Sequence, residues 1–247
     1  MVKNKIVGII PARFKSSRFP GKPLADIHGK PMIWHVYQRA TKAKLLDEIY
    51  VATDDQRIKE VCDSFNMQVI MTSDTHTTGS DRLSECASRI NADFYVNIQG
   101  DEPMIDPDSI DSVTQEILIE ENVNIVASGA FMPINDPSDI IDSNVVKVII
   151  SNSGVAISYS RSPIPYPKDG KAHYYKQLGL YAFKKEGLDI FAKNTPSSLE
   201  STEGVELFRL LENDKHTKMV EIFHKTISVD TPRDLERVRL LMATSKY

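Results

Sequence analysis

The chain has 247 residues, of which 41% are hydrophobic and 26% are charged, as in a soluble globular protein with one large domain or two small ones. Its 34 acidic and 30 basic residues give a net charge of −4, so the chain as a whole does not favour nucleic acid or an anionic membrane. Any anion that it binds must meet a local basic cluster. Cys62 and Cys86 are too few for a disulfide framework and lack metal-ligand spacing, which indicates buried thiols in a reducing compartment.

The amino-terminal apolar run, Lys5–Ile10, stops at Pro11. It is much shorter than the apolar core of a secretory signal followed by a cleavage site, so we expect a strand there. No stretch of the sequence approaches the roughly 18 apolar residues that a membrane span needs. These features predict a cytoplasmic protein that makes no membrane contact.

In the first half of the chain, short β-rich runs alternate with longer amphipathic runs. We expect strands at Lys5–Ile10, Glu48–Ala52, Gln68–Met71 and Asp93–Ile98, and helices near Pro31–Lys44, Asp55–Phe65 and Ser80–Ile90. This alternation predicts an α/β fold on a doubly wound, mostly parallel sheet. The first helix has proline at its first position and apolar Ile33, Val36 and Ala40 about one turn apart, so it should pack on the sheet.

After Val123 the pattern becomes β-rich. Strands are expected at Asn124–Ala130, Val145–Ile150, Gly154–Ser160 and Leu178–Phe183, followed by a helix near Leu199–Glu212, a strand near Thr226–Val229 and a helix from Pro232. The sequence contains no repeats and no flexible linker. We interpret residues 1–247 as a single domain. Its core is formed by about 1–123 and 200–247, and about 124–199 form a smaller β-rich subregion that serves as a lid or a dimer contact.

A basic loop, residues 11–23, follows the first strand, and ligands of open α/β sheets bind beyond the carboxyl ends of the strands. The loop carries Arg13, Lys15, Arg18 and Lys22 together with serines, a glycine and no acid. Forked arginine donors, lysine charges and accessible backbone N–H groups suit a polyphosphate. The alternative is a solvated basic loop. Neither a Gly-x-Gly-x-x-Gly nor a Gly-x-x-x-x-Gly-Lys-Ser/Thr motif is present, which disfavours dinucleotide and P-loop sites.

Two aspartates are candidate metal ligands. Asp101 follows the strand that ends at Ile98, on the same sheet edge as the basic loop, and Asp230 follows a later expected strand. Mg²⁺ prefers one or two carboxylates together with phosphate oxygens and water. The structural alternatives are that Asp101 stabilises a turn before a helix capped by Asp106, and that Asp230 caps the helix that begins at Pro232.

The segment Thr77-Thr-Gly-Ser-Asp-Arg82 is a third candidate. It offers hydroxyls, a glycine and an arginine at the expected start of a helix, and helix N-termini attract anions and polar base edges. Most such sequences are ordinary helix caps, so by itself the segment is a weak signal of binding.

Taken together, these motifs resemble the cytidylyltransferases that activate acidic sugars with CMP, most closely the CMP-Kdo synthetases (3-deoxy-manno-octulosonate cytidylyltransferases). The resemblance runs along the whole chain through Ile9-Ile-Pro-Ala-Arg13, Arg18-Phe-Pro-Gly-Lys-Pro-Leu24, Gly29-Lys-Pro-Met-Ile33, Val51-Ala-Thr-Asp54, Gly79-Ser-Asp-Arg82, Asn97-Ile-Gln-Gly-Asp-Glu-Pro103, Val146-Lys147, Tyr159-Ser-Arg161, Leu178-Gly-Leu-Tyr181 and Val229-Asp-Thr-Pro232. It implies a Rossmann-like nucleotidyltransferase sheet with a smaller β-rich lid or dimerisation subregion.

The resemblance further implies that CMP passes from CTP to the anomeric hydroxyl of a Kdo-type 3-deoxy-2-ulosonic acid, with Mg²⁺ required and pyrophosphate released. By motif, the family's catalytic residues correspond to Lys22, Arg13, Asp101 and Asp230, and the two aspartates are its metal ligands. Its CTP-binding residues correspond to Arg13, Ser17, Lys22, Gly79, Ser80 and Arg82. Its acceptor-binding residues correspond to Gln99, Arg161, Gln177, Tyr181 and Glu206. A cytoplasmic homodimer that serves lipopolysaccharide or capsule synthesis is also implied.

Two positions depart from the family pattern in the segments expected to touch the acceptor. Gln177 stands where the family has histidine, and Leu207 stands where it has glutamine, whereas Gln99, Tyr181 and Glu206 are kept. A site that leaves a buried substrate hydroxyl unpaired discriminates strongly against that substrate. One hypothesis is therefore a different acidic acceptor, such as an amino-substituted Kdo, another ulosonic acid or a phosphonate. The alternative is a rearranged pocket that still takes Kdo.

Two other classes of function are weighed beside the cytidylyltransferase. A non-catalytic nucleotide-binding homologue is disfavoured because Lys22, Asp101 and Asp230 are all present. An NAD(P)-dependent enzyme is disfavoured because the first loop is long and basic, where a dinucleotide needs a short glycine turn.

Overall fold

The computed structural model describes residues 4–16, 18–170, 172–224 and 226–244. The chain divides into two compact units. The first comprises the residues up to Asp111 together with those from His224 onward, and the second is Ser112–Phe223. Within the described ranges, no helix combines the length and the apolar character that a membrane crossing requires.

The first unit contains a parallel sheet with helices between its strands. Its elements are β1 (Ile6–Ala12), a 3-10 turn (Lys22–Leu24), β2 (Asp26–Ile27), β3 (Lys30–Pro31), α1 (Met32–Ala40), β4 (Glu48–Thr53), α2 (Gln56–Ser64), β5 (Val69–Met71), α3 (Gly79–Arg89), β6 (Phe94–Asn97) and the start of α4 (Pro107–Ile119). Strand β1 pairs in parallel with both β6 and β4, and β4 pairs in parallel with β5. The predicted α/β class is therefore confirmed.

Strand β1 lies at the centre of this sheet, and its composition explains why. Val7, Ile9 and Ile10 are completely buried, as expected for a parallel strand covered on both faces. Two of the helices begin at polar caps: Asp55 accepts from a backbone N–H of α2, and Thr78 forms a capping box with Asp81 at the start of α3. Strand ends and helix starts consequently meet at one edge of the sheet.

The second unit is richer in strands. It contains the rest of α4, then β7 (Ile125–Pro133), α5 (Pro137–Ile141), β8 (Lys147–Ile150), β9 (Ala156–Ser160), β10 (Tyr175–Lys184), α6 (Lys185–Lys193), α7 (Ser198–Glu203), α8 (Phe208–Leu211) and β11 (His216–Glu221). Strand β10 pairs antiparallel with β7 and β8, β8 pairs antiparallel with β9, and β11 runs parallel to β7. The β-rich character expected after residue 123 is present, and its role as a lid or dimer contact stays a prediction.

The final helix, α9 (Pro232–Thr244), packs back onto the first unit. Val229, Leu235 and Val238 share a buried apolar cluster with Ile27 and Met32. This packing brings residues near 230 to the part of the fold formed by the first 111 residues.

Several expectations about elements are wrong. Pro31 is the N-cap of α1 rather than its first residue. The expected helix Leu199–Glu212 is divided into α7 and α8, because Gly204 adopts a left-handed conformation with φ of 63° and ends α7. Residues Thr226–Val229 are described but form no strand. There the Val229 N–H donates to the carbonyl of Asp101 at 2.9 Å, so the segment follows a loop instead of a strand.

Cys62 and Cys86 are both free and buried. Burial raises the pKa of each thiol to about 12. The expectation of two buried thiols is therefore confirmed.

Candidate active site

Lys22, Asp101 and Asp230 come together at the edge of the first unit where β1 and β6 end. The Lys22 Nζ donates to Oδ2 of Asp101 at 2.7 Å and lies 3.4 Å from Oδ1 of Asp230. Arg18 donates to the same Asp230 oxygen at 3.0 Å. The Lys22 side chain is only 14% exposed. Two carboxylates that are far apart in sequence therefore converge on one ammonium group.

Asp106 caps α4 as expected, and the Asp101 carboxylate accepts from Lys22. The alternative that Asp230 caps α9 is wrong, because Thr231 and Asp234 form that cap. Asp106 accepts from the backbone N–H and the hydroxyl in the first turn of α4. At the start of α9, Asp234 accepts from the Thr231 N–H at 2.8 Å, and Thr231 accepts from the Asp234 N–H at 3.3 Å. The carboxylates of Asp101 and Asp230 are thus left to face Lys22.

Two glycines shape the loops that carry these groups. Gly21 precedes the 3-10 turn with φ of 72°, a conformation that L side chains rarely adopt, so Lys22 can leave the basic loop at this angle. A Cβ at Gly100 would lie 2.6 Å from the carbonyl oxygen of Pro11. Only glycine therefore lets the loop carrying Asp101 lie against the end of β1.

These groups line a cavity of about 430 Å³, a size suited to a small-molecule ligand. The described basic residues of the loop, Arg13, Lys15, Arg18 and Lys22, all contribute to its wall, as does Gln99. Arg13 also donates to the carbonyl of Thr77 at 3.3 Å, which links the basic loop to the start of α3. Ser17, predicted to bind CTP, lies outside the described residues.

The start of α3 forms another wall of the cavity. Gly79 and Arg82 line it, whereas Ser80 is completely buried. The Arg82 side chain is 1% exposed, and its Nη2 lies 3.1 Å from Oδ1 of Asp54. Its Nη1 donates to the hydroxyl of Thr72. Burial, and secondarily the charge of nearby Arg13, lower the pKa of Arg82, while Asp54 opposes that shift.

Four of the residues predicted to contact the acceptor belong to the second unit. The Gln177 amide donates to the hydroxyl of Tyr181 across an irregular stretch of β10. Arg161 donates to the carbonyls of Ser143, Glu203 and Gly204, so three of its donors hold backbone. Glu206 precedes α8. Gln99, in contrast, lies at the cavity of the first unit.

Leu207, which was predicted to face the acceptor, is completely buried. Its apolar side chain therefore contributes to the core of the second unit, and its effect on the acceptor stays a prediction.

The sequence analysis assigned no role to Asp54 or Thr72. Each follows directly on a parallel strand, β4 or β5, so the strand-end rule that singled out Asp101 could have found them.

Comparison with known proteins agrees with this architecture. The cytidylyltransferase family model matches residues 7–222. A protein of Geobacter sulfurreducens named 3-deoxy-manno-octulosonate cytidylyltransferase is 45% identical over 94% of this chain and 97% of its own. A second, from Geobacter metallireducens and with the same name, is 44% identical over 95% of this chain and 96% of its own.

A solved structure shares the fold over nearly the whole chain. It is the CMP:2-keto-3-deoxy-manno-octonic acid synthetase complexed with CTP, which is 40% identical and superposes with a TM-score of 0.91. The match covers 97% of this chain and 98% of that one. The chain therefore belongs to the cytidylyltransferase family of nucleotidyltransferase enzymes, and within it to the 3-deoxy-manno-octulosonate cytidylyltransferases.

Proposed function

We propose that this enzyme transfers CMP from CTP to the anomeric hydroxyl of 3-deoxy-manno-octulosonate and releases pyrophosphate. The names of the relatives and the CTP in the related structure support this reaction. The observation that carries the proposal is the convergence of Asp101 and Asp230 on Lys22 inside a cavity walled by the basic loop. That cavity offers cationic groups for a triphosphate and carboxylates for a divalent cation.

The two carboxylates fit Mg²⁺ by the chemistry of their donors. Both offer hard oxygen atoms, their side chains are 25% and 38% exposed, and they already converge on one cationic group. No cluster of three or more His, Cys, Asp or Glu that could hold a metal occurs in the ranges the structure describes, but Mg²⁺ commonly uses only one or two carboxylates with phosphate oxygens. When bound, Mg²⁺ would offset the triphosphate charge and lower the pKa of a coordinated hydroxyl.

The chain's own contribution is orientation and charge stabilisation. Attack at the α-phosphorus increases the negative charge on its oxygens and on the departing pyrophosphate. Lys22 and Arg13 line the cavity and are placed to offset that charge. Gly79 and Arg82, at the start of α3, are proposed to hold the nucleotide, and Asp101 and Asp230 to hold the metal. Ser17 and Ser80 stay predictions from the family motif.

The acceptor contacts are also proposals. The family motif assigns them to Gln99, Arg161, Gln177, Tyr181 and Glu206. One observation keeps a modified acceptor as a second candidate: the Oε1 atom of Gln177 is buried without a hydrogen-bond partner among the described residues. A donor on the acceptor would pair with this oxygen, and either an amine N–H or a hydroxyl O–H can supply it.

Pyrophosphate release from CTP and Mg²⁺ tests the reaction directly. The acceptor panel contains 3-deoxy-manno-octulosonate, an amino-substituted analogue, another ulosonic acid and a phosphonate. We expect the first to give rapid release. If none of the four supports release, the proposed reaction is wrong; rapid release only with the amino analogue would favour the second candidate.

The variant Gln177→His separates the two acceptors further. It introduces the residue found in the family pattern, and Gln177 lies beside Tyr181 rather than in the core. We expect little change with 3-deoxy-manno-octulosonate if the wild type already turns it over rapidly. A large gain with that acceptor would show that Gln177 disfavours it.

The setting of the enzyme is inferred from its family resemblance. We expect a cytoplasmic homodimer that supplies an activated acidic sugar for lipopolysaccharide or capsule synthesis, without nucleic-acid or membrane contacts. Light scattering coupled to size-exclusion chromatography checks the dimer. A monomeric mass at working concentrations would contradict it.

A further inference from the structure

The Arg82 guanidinium contacts the side chains of two residues at the ends of neighbouring strands. Asp54 follows β4, Thr72 follows β5, and these strands pair in parallel. The Thr72 N–H donates to the carbonyl of Thr53 at 2.8 Å. This hydrogen bond places Thr72 beside Asp54, the residue that follows Thr53. Their side chains meet different nitrogens of the same guanidinium: Thr72 meets Nη1 and Asp54 meets Nη2.

Two contacts on separate nitrogens fix the plane of a guanidinium, which otherwise ends a flexible side chain. Burial and a nearby like charge make it necessary to hold the guanidinium in this way. Arg82 is 1% exposed and close enough to Arg13 for the like charges to interact. The Asp54 carboxylate, 12% exposed, supplies the compensating charge. Without the Asp54 carboxylate, burial and repulsion by Arg13 would together disfavour the Arg82 guanidinium at this position.

The contacts with Asp54 and Thr72 leave some N–H donors of the guanidinium available to a ligand. Nε has no hydrogen-bond partner among the described residues, and the Nη2 N–H is close to Asp54 without being aligned for a hydrogen bond. Buried donors are normally satisfied, so each such group calls for an explanation. Arg82 lines the cavity beside Gly79, and a ligand acceptor is the simplest explanation.

We propose that Asp54 and Thr72 are positioning residues that hold the Arg82 guanidinium against the pyrimidine edge of the nucleotide and so determine the preference for CTP over UTP. The inference rests on the proposed CTP reaction. A guanidinium only donates hydrogen bonds. Unlike a side-chain amide, it has no oxygen that a flip could present as an acceptor. Cytosine presents two adjacent acceptors, O2 and N3, whereas N3 of uracil carries a proton. A guanidinium held in place therefore pairs with cytosine and repels the uracil N3–H.

The test compares Asp54→Asn, Thr72→Val and Thr72→Ser with the wild type. The readouts are kcat and KM for CTP and for UTP, together with equilibrium dissociation constants for both nucleotides measured by calorimetry without acceptor. We expect Asp54→Asn and Thr72→Val to lower the CTP/UTP preference by about tenfold or more, through weaker CTP binding. Thr72→Ser retains the hydroxyl and should retain the preference.

The matched control is Asp63→Asn, an exposed acidic position of α2 whose partner is Lys59. It should leave both nucleotides unaffected. An unchanged CTP/UTP preference in folded Asp54→Asn or Thr72→Val, or a wild type that binds both nucleotides equally, would overturn the inference. Melting temperatures identify a variant that has lost its fold, in which case the other variant decides.

Failure of the proposed function gives a different pattern. If the wild type releases no pyrophosphate yet binds CTP more tightly than UTP, and the variants lose that preference, the reaction is wrong and the positioning role stands.

Discussion

Lys22, Asp101, Asp230 and Arg18 each have an oppositely charged partner within 3.4 Å. Lys22 neutralises Asp101 and Asp230, and Arg18 adds a second cation to Asp230. When a triphosphate and its cation arrive, the phosphates compete for the basic groups and the cation competes for the carboxylates. The cluster therefore pairs opposite charges and can offer basic groups to a triphosphate and carboxylates to its cation.

Asp101→Asn and Asp230→Asn test this arrangement. Each change removes one charged oxygen donor with little change in shape, so we expect kcat to fall by about 10²–10³-fold or more. The dissociation constant for CTP measured without Mg²⁺ should change much less. Steady-state kinetics and calorimetry check the two parts, with exposed Asp108→Asn as the control. Turnover near the wild-type rate in either variant would show that the metal assignment is wrong.

Gly100→Ala tests the approach of the Asp101 loop to β1. The new Cβ would meet the Pro11 carbonyl at 2.6 Å, so the backbone must move, at a cost of about 1–3 kcal/mol in the free energy of unfolding. The displaced loop should also lower kcat. Gly29→Ala is the comparison, because its φ is positive but nothing lies within 4 Å of the new Cβ. A kcat loss in Gly29→Ala as large as in Gly100→Ala would contradict this interpretation.

Sequence reasoning at this scale identified Lys22, Asp101 and Asp230 but could not decide between ligation and capping. A helix start accepts either of two nearby oxygens, and only coordinates show that Thr231 and Asp234 cap α9. The positions of Asp54 and Thr72 at strand ends could have been read from the sequence, but their common partner Arg82 belongs to another element and could not.

At the scale of elements, β8 is anchored by a buried charge. Lys147 is completely buried, and its ammonium donates to the carbonyls of Asp142, Val145 and Arg161 at 2.9, 2.7 and 2.5 Å. It therefore ties the approach to β8 to the end of β9. The family motif includes Lys147 but does not predict its contacts. The sequence alone cannot show which three carbonyls, on two different segments, accept from this lysine.

Lys147→Met should lower the free energy of unfolding by about 2–4 kcal/mol, because it removes hydrogen bonds from a charged donor and leaves their acceptors unpaired. Lys176→Met is the matched control on β10: its side chain is 30% exposed and its ammonium lies 3.3 Å from Asp139, so the loss should stay below about 1 kcal/mol. Urea denaturation followed by circular dichroism checks both. Equal losses would contradict the assigned role of Lys147.

Glu203 joins the end of α7 to the end of β9 in a pH-dependent way. Its carboxylate accepts from the Arg161 N–H at 2.8 Å and from the Ser160 hydroxyl at 2.7 Å. The Arg161 N–H, followed by the Ser160 hydroxyl and nearby cations, lowers the pKa of Glu203 below its ordinary 4.5, against some desolvation. The carboxylate therefore stabilises the fold above the unfolded pKa, and this stabilisation is lost as the pH falls through the folded pKa.

Glu203→Gln should consequently cost about 1 kcal/mol at pH 7, and the difference from wild type should shrink as the pH falls below about 4.5. Urea denaturation at a series of pH values measures it. Exposed Glu121→Gln should show no comparable cost at any pH. A Glu203→Gln difference that grows towards low pH would have the wrong sign for this mechanism.

For the whole molecule, the net charge of −4 contrasts with the charge at the cavity. Arg13, Lys15, Arg18 and Lys22 all line it, so a triphosphate meets local positive charge on an acidic protein. The global composition does not favour nucleic acid as a partner, but it places no limit on a small anion.

The affinity for CTP should accordingly depend on ionic strength. Raising KCl from roughly 0.05 M to 0.5 M shortens the screening length below the dimensions of the site, and we expect the dissociation constant for CTP to rise several-fold. Uncharged cytidine serves as the control and should be nearly unaffected. Calorimetric titration of both ligands measures the effect; parallel responses would mean that the loop charges contribute little to CTP binding.

The order of strands and helices, the basic loop after β1 and the family motifs all follow from local pattern, because periodicity and turn chemistry depend on residues close in sequence. Two features required the tertiary fold: the return of Asp230 to Lys22 through the packing of α9, and the contacts of Asp54 and Thr72 with Arg82. Each depends on contacts between segments distant in sequence, and such contacts are selected by the packing of the whole chain rather than by any local preference.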